Sequence, residues 1–129
     1  VSGAVLDASA LLALLHDETG AACVAEVLVG ARISAVNQAE VISHFVHAGM
    51  PSEAVDAMLR PLPIEVIAAD AELARIAGQL RAKTASAGLS LGDRFCIALA
   101  LREGAVAYTA DRDWSKIAEA VSARIRVIR

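Results

Sequence analysis

The sequence predicts an α/β protein, a three-layer arrangement with a parallel sheet covered by helices on both faces. Short, almost wholly apolar segments alternate with helical periodicity along the chain. Strands hidden on both faces read as continuous apolar runs of this kind, not as an in-out alternation. A third observation sets the scale. A chain of 129 residues that is 57% hydrophobic is one domain, expected over 1–129, with enough apolar mass to form a core without staples.

The elements follow in order. GAVLD is a short buried strand ending at Asp7, and Ala10, Leu11, Leu14 and Leu15 then recur at helical spacing with Ser9 near the start. A second helix runs from Gly20 through Val29, and ARIS is a second strand ending near Ser34. In AVNQAEVISHFVHAG, a rotation of 100° per residue gathers Val41, Ile42, Phe45 and Val46 on one side. Asn37, Glu40, Ser43, His44 and His47 fall on the other. Pro51 ends that helix, SEAVDAMLR forms the next, and IEVIA is a third strand. DAELARIAGQLRAKTASAG reads as one long amphipathic helix ending at Gly88. LGDRFCIALALREG is apolar almost all round from Phe95 to Leu101, as buried helices are. AVAYT is a fourth strand ending at Thr109, DWSKIAEAV a last helix, and IRVI a fifth strand.

Composition narrows the function classes. No apolar run reaches the roughly 18 residues of a membrane helix. The stretch Ala8–Leu15 has no Lys or Arg before it and abuts Asp7, so it is expected to be a core helix and not a signal peptide. A cytoplasmic, membrane-free protein is the expectation. Cys23 and Cys96 lie in apolar helical contexts and are expected to be inert core residues. The net charge of −3 hides an asymmetry: residues 1–74 carry ten acidic and two basic side chains (−8), residues 75–129 five acidic and ten basic (+5). An acidic site beside a basic half suits a metal-using enzyme with a polyanionic substrate.

Four carboxylates are placed where such a site would form. Ligands of open α/β sheets bind beyond the carboxyl ends of the strands. Asp7 closes the first strand, Asp111 lies just past the fourth, Glu40 is early in the helix after the second, and Asp93 opens the buried helix. Each has a structural alternative. Asp7 fits a helix N-cap, Asp111 and Asp113 fit caps of the last helix, and Asn37–Glu40 and Ser90–Asp93 both have capping-box spacing. Together, however, four acids at one rim repel one another unless a cation intervenes, and hard oxygen ligands point to Mg²⁺ or Mn²⁺.

Competing constellations are weaker. Glu40, His44 and His47 at i, i+4 and i+7 offer a zinc pattern on one helix, and a metal-independent ribonuclease would need the two histidines on either side of a phosphate. A receiver-like Mg²⁺-binding signalling domain wants paired acids after the first strand, where Asp7 is followed by Ala8 and Ser9. A haloacid-dehalogenase-like phosphatase wants an Asp where Ser9 stands. A catalytically silent binding module is the remaining alternative.

VLDASALLALL, SAVNQAEV, SLGDRFCIALA and YTADRDW resemble, in order, the acidic motifs of PIN-domain nucleases, with the nearest likeness to VapC-type toxins of bacterial toxin–antitoxin pairs. The resemblance spans nearly the whole chain. It implies a five-stranded parallel sheet flanked by helices and an Mg²⁺- or Mn²⁺-dependent endoribonuclease acting on RNA. It places the catalytic and metal-binding acids on Asp7, Glu40, Asp93 and Asp111, with Asp113 an optional fifth and Ser9 and Thr109 as supporting polar residues. It also implies a homodimer and a cognate antitoxin. Arg94, Arg112 and Lys116 are the cations expected to grip RNA phosphates.

Overall fold

The computed structural model describes residues 3–129. Five strands, β1 (Ala4–Leu6), β2 (Ala31–Ser34), β3 (Ile64–Ile67), β4 (Val106–Thr109) and β5 (Arg124–Val127), form one all-parallel sheet in the order β3-β2-β1-β4-β5. The chain steps outward from β1 to β3, then crosses back over the sheet to enter β4 on the other side of β1. The direction of winding therefore reverses between β1 and β4, and the carboxyl ends of those two strands flank the crevice where such folds bind ligands. The order also removes the receiver-like alternative, whose doubly wound sheet runs 2-1-3-4-5 with the third strand beside the first. Here β3 is an edge strand.

Successive side chains of a strand point to opposite faces, and β1 shows it. Val5 joins one apolar cluster, while Ala4 and Leu6 join the other. On the first face lie α5 (Ala71–Gln79) and α7 (Leu91–Glu103), with Trp114 wholly buried beside them. On the second lie α1 (Ala8–Leu15), α2 (Ala21–Val27), α3 (Ala35–His47) and α4 (Ser52–Leu59). The near-continuous apolar run of α7 is explained by its position: every residue from Arg94 to Ala100 is buried. No helix among the described residues is long and apolar enough to cross a membrane.

The structure departs from the sequence expectations in a few places. The helix expected to run unbroken to Gly88 divides into α5, α6 (Arg81–Thr84) and a 3-10 turn at Ala85–Ala87. The Thr84 hydroxyl donates back to the Leu80 carbonyl at 2.9 Å, a side-chain bond that competes with the helical ladder. The last helix is also divided, into a 3-10 segment (Arg112–Lys116) and α8 (Ala118–Val121). Asp111 caps the 3-10 segment as expected, its side chain accepting the Asp113 amide two residues on at 2.9 Å. β5 sits one residue earlier than IRVI.

Gly20 ties the C-terminal segment to α2. Its φ of 98° is open to glycine, and a Cβ there would come within 2.7 Å of both the Ile128 side chain and the Ile128 carbonyl oxygen. Gly20→Ala is expected to destabilise the fold by about 1–2 kcal/mol from the left-handed backbone, with about 1–3 kcal/mol more from overpacking. Urea unfolding would show a lower midpoint at unchanged slope; an unchanged midpoint would contradict this account.

Candidate active site

Asp7 is the centre of the crevice. It is 3% exposed, yet both carboxylate oxygens have donors. Oδ1 accepts from the Ala10 amide at 2.8 Å, capping α1, and from the Ser9 hydroxyl at 2.8 Å. Oδ2 accepts from the Thr109 hydroxyl at 2.6 Å, the short contact of a charge-assisted bond. The same Thr109 oxygen accepts the Asp111 amide at 3.0 Å, and Ser9 Oγ accepts the Ala110 amide at 2.9 Å. Through these bonds the end of β1, the start of α1 and the loop after β4 close on one carboxylate. The cap uses only part of the acceptor capacity of Asp7, so capping α1 does not compete with a functional role.

Glu40 reaches the crevice from the other side. The side chain of Ser34 caps α3 by accepting the Asn37 amide at 3.2 Å, so no capping box forms between Asn37 and Glu40. Instead Asn37, expected on the polar face of its helix, is 1% exposed and fully engaged. Its Oδ1 accepts from Ser34 Oγ at 2.8 Å, while Nδ2 donates to Glu40 Oε1 at 2.8 Å and to the Gly92 carbonyl at 3.0 Å. Gly92 is the seat for Glu40: a Cβ built there would lie 2.5–2.7 Å from the carboxylate atoms. Next to it, Asp93 closes the capping box expected with Ser90, accepting the Ser90 amide at 2.9 Å while Ser90 Oγ accepts the Asp93 amide at 3.2 Å. Sequence reading passed over Asn37 and Gly92 as functional residues. The signal that could have found Gly92 is a glycine directly before an acid in the first turn of a buried helix.

Repulsion links Asp93 to both Asp7 and Asp111. Burial pushes the Asp7 carboxyl up to about 6 against the opposing pull of Thr109, Ala10 and Ser9, and repulsion from Asp93 adds to the rise. Burial likewise raises Asp93, and Asp111 adds repulsion. The Cys96 thiol lies beneath them, wholly buried; burial pushes its pKa well up, reinforced by the charges of Asp7, Asp93 and Glu40. Among the described residues Asp7, Glu40, Asp93 and Asp111 form no ion pair, as is also true of several surface acids, and Arg94 only partly offsets the rise at Asp93. Like charges left without a basic partner, all presenting oxygen, fit a hard divalent cation. No three His, Cys, Asp or Glu side chains among the described residues form a group that could hold a metal ion as they stand.

The remaining sequence-predicted residues separate from this group. Asp113 is exposed and paired to Lys116 at 2.9 Å, so each already has a partner. Arg112 is exposed, with Nε donating to the Arg129 carbonyl at 3.1 Å. Arg94 corrects an expectation: it is 7% exposed and donates to the Ala77 carbonyl on α5 at 3.0 Å, which leaves it no reach to a bound phosphate. His44 turns to His16 instead of joining Glu40 and His47, which removes the single-helix zinc pattern. A groove lined by Ile42, Asp56, Leu59, Arg60 and Ile64 lies by the β3 edge and holds none of the four acids.

Comparison with known proteins agrees with the fold and with the family resemblance. The family model described as PIN domain matches residues 4–120. The chain is 35% identical over 106 residues to ribonuclease VapC42 of Mycobacterium tuberculosis, covering 74% of this chain and 81% of the relative. Among solved structures it resembles VapC20 of Mycobacterium tuberculosis, a toxin described as cleaving the sarcin–ricin loop. The TM-score is 0.73 at 20% identity, over 88% of this chain and 94% of that one. It also resembles the DNA-bound VapBC of Salmonella typhimurium, with a TM-score of 0.70 at 19% identity over 98% of each chain.

Two outcomes follow from the geometry. Gly92→Ala is expected to weaken Mn²⁺ binding as much as Glu40→Gln does, because the new methyl displaces the Glu40 carboxylate. The fold itself should be unchanged or up to about 1 kcal/mol more stable, since a flexible side chain yields and a helical glycine is lost. Wild-type Mn²⁺ affinity in Gly92→Ala would refute the seat. Asp7 makes a prediction in pH. Its folded value of about 6 stands above the usual 3.8, so the stability it contributes is complete below 3.8 and lost as pH rises to about 6. In EDTA, Asp7→Asn is therefore expected to melt above wild type at pH 8, by on the order of 3 kcal/mol or less, and to lose that advantage near pH 4. A variant less stable than wild type at pH 8 would show that the hydrogen bonds of Asp7 outweigh its desolvation.

Proposed function

The chain belongs to the PIN-domain family, and from that premise we propose that it is a divalent-metal-dependent endoribonuclease of the VapC type, the toxin of a toxin–antitoxin pair. The observation that carries this reading is the buried Asp7 at the β1/β4 crevice, its carboxyl raised by burial and by the charge of Asp93, which in turn feels Asp111. Asp7, Glu40, Asp93 and Asp111 would hold Mg²⁺ or Mn²⁺ there. When bound, such an ion activates a water at neutral pH and stabilises charge on a phosphodiester oxygen.

The chain's own residues supply the rest. Thr109 and Ser9 hold the Asp7 carboxylate in one orientation and keep it ionised at neutral pH against its burial. Asn37 and Gly92 hold Glu40 across from Asp93. Asp111, whose amide is fixed by Thr109, carries the fourth acid on the loop after β4. Arg112 keeps guanidinium donors for a phosphate, and Lys116 reaches one by leaving Asp113. The RNA partner follows from this chemistry. The antitoxin, the homodimer, a cytoplasmic setting and a single domain over 1–129 follow from the family. VapBC complexes among the similar structures support the antitoxin.

The test is cleavage of RNA. Activity is expected with Mg²⁺ or Mn²⁺, none in EDTA, and products with 5′-phosphate and 3′-hydroxyl ends; 2′,3′-cyclic phosphates would exclude attack by water. Asp111→Asn should lower the rate far more than Asp113→Asn at saturating Mn²⁺, because Asp113 is already neutralised by Lys116. A larger loss at Asp113 would move the fourth acid there.

A further inference from the structure

Away from the acids, two imidazoles meet on the surface. His16 follows α1 as its C-cap, and His44 lies in the last turn of α3. Their Nε2 atoms are 3.0 Å apart and both rings are exposed. We propose that this pair is a binding site for a divalent transition-metal ion of the nickel or copper type, independent of the acidic site and of its reading.

Three features support it. The first is distance. Imidazole nitrogens bind such ions at about 2.0–2.1 Å, so two nitrogens 3.0 Å apart subtend roughly 90° at the metal. That separation lets one ion take both nitrogens in the cis positions that nickel and copper favour, once each ring, now pointing at the other with centroids 5.2 Å apart, turns its lone pair outward. The second is rigidity. The His16 amide is anchored on the Leu12 carbonyl at 2.9 Å, and Phe45 packs against both rings with all three centroid separations at 5.2 Å. The rings are thereby kept side by side, and only a turn of each ring is needed to aim both lone pairs at one ion. The third is field. Both histidines stand at helix C-termini, where the partial negative charge favours cations, and Asp17 and Glu18 follow directly.

The metal-free pair shares one proton: one Nε2 donates and the other accepts. On binding, the donor ring carries its proton on Nδ1, so both Nε2 lone pairs face the ion and no proton need be released. Water completes the coordination. His16 lies nine residues beyond Asp7, the cap at the other end of α1, so the two sites are about 13 Å apart along the helix axis. Mg²⁺, an oxygen-seeking ion, is not expected to compete.

Isothermal titration of the untagged chain with Ni²⁺ in excess Mg²⁺ tests the site. One ion per chain is expected, with affinity falling about tenfold or more in His16→Ala and in His44→Ala and unchanged in His47→Ala. Ni²⁺ should also raise the melting temperature of wild type and not of His16→Ala, whose metal-free melt should match wild type. No binding by the wild-type chain, or binding that survives either substitution, would overturn the proposal. Equal loss in His47→Ala would transfer the site to the single-helix pattern, and loss in Asp7→Asn would transfer it to the acids.

Discussion

A carboxylate 3% exposed at the end of a central strand is costly to bury, and the structure around Asp7 is organised by that cost. The Asp7 amide donates to the Tyr108 carbonyl at 3.1 Å, extending the β1–β4 ladder by one bond into the crevice. Its side chain then takes the first turn of α1 and the hydroxyls of Ser9 and Thr109. Each of these donors belongs to a different constraint: the helix start, the α1 side chain and the strand next door. Because Thr109 also receives the Asp111 amide, the loop after β4 cannot shift without disturbing Asp7. The donors do not cancel the burial, since the Asp7 carboxyl remains raised to about 6. A residual electrostatic cost is therefore built into the metal-free fold.

Glu40 is held on a different principle. It is exposed, so burial does not fix it; steric room and one amide do. Asn37 links Ser34, Glu40 and the Gly92 carbonyl in one network, joining the end of β2, the face of α3 and the first turn of α7. A buried amide with every group bonded specifies one arrangement, because any slip of α3 along α7 would leave a polar atom unpaired. Gly92 then allows the carboxylate to rest where any side chain would exclude it. Two residues without charge thereby set where a charge sits.

These two anchoring modes explain what was legible in the sequence. Strand ends were readable because a buried parallel strand is a continuous apolar run, and the acids were readable because each stands at a strand or helix terminus. The place of Asn37 was not. A helical wheel puts it beside Glu40 on the polar face, and nothing local says that the start of α7 covers that face. Arg94 misled for the same reason: a guanidinium reads as solvent-facing, and its partner is a backbone carbonyl on α5, seventeen residues away in sequence. Asp93 was read as either cap or site residue. The structure bears out the cap, and it leaves the charge of Asp93 acting on Asp7 and Cys96, so capping does not by itself withdraw Asp93 from the crevice.

The charge asymmetry acquires a spatial meaning from the strand order. Residues 1–74, at −8, supply β3, β2 and β1, and residues 75–129, at +5, supply β4 and β5. The two halves of the chain become the two sides of the sheet, and the seam between them is the crevice that holds the acids. With strands about 4.8 Å apart, the arginines of β5 stand roughly 10 Å from β1, comparable to the screening length near physiological salt. The attraction of the basic side and the repulsion of the acids thus overlap at the crevice. Under the proposed reading, a polyanion drawn to Arg112 and Arg126 meets the carboxylates of the crevice until a cation neutralises them. Metal loading and RNA docking are then coupled through charge alone, without any movement of the fold.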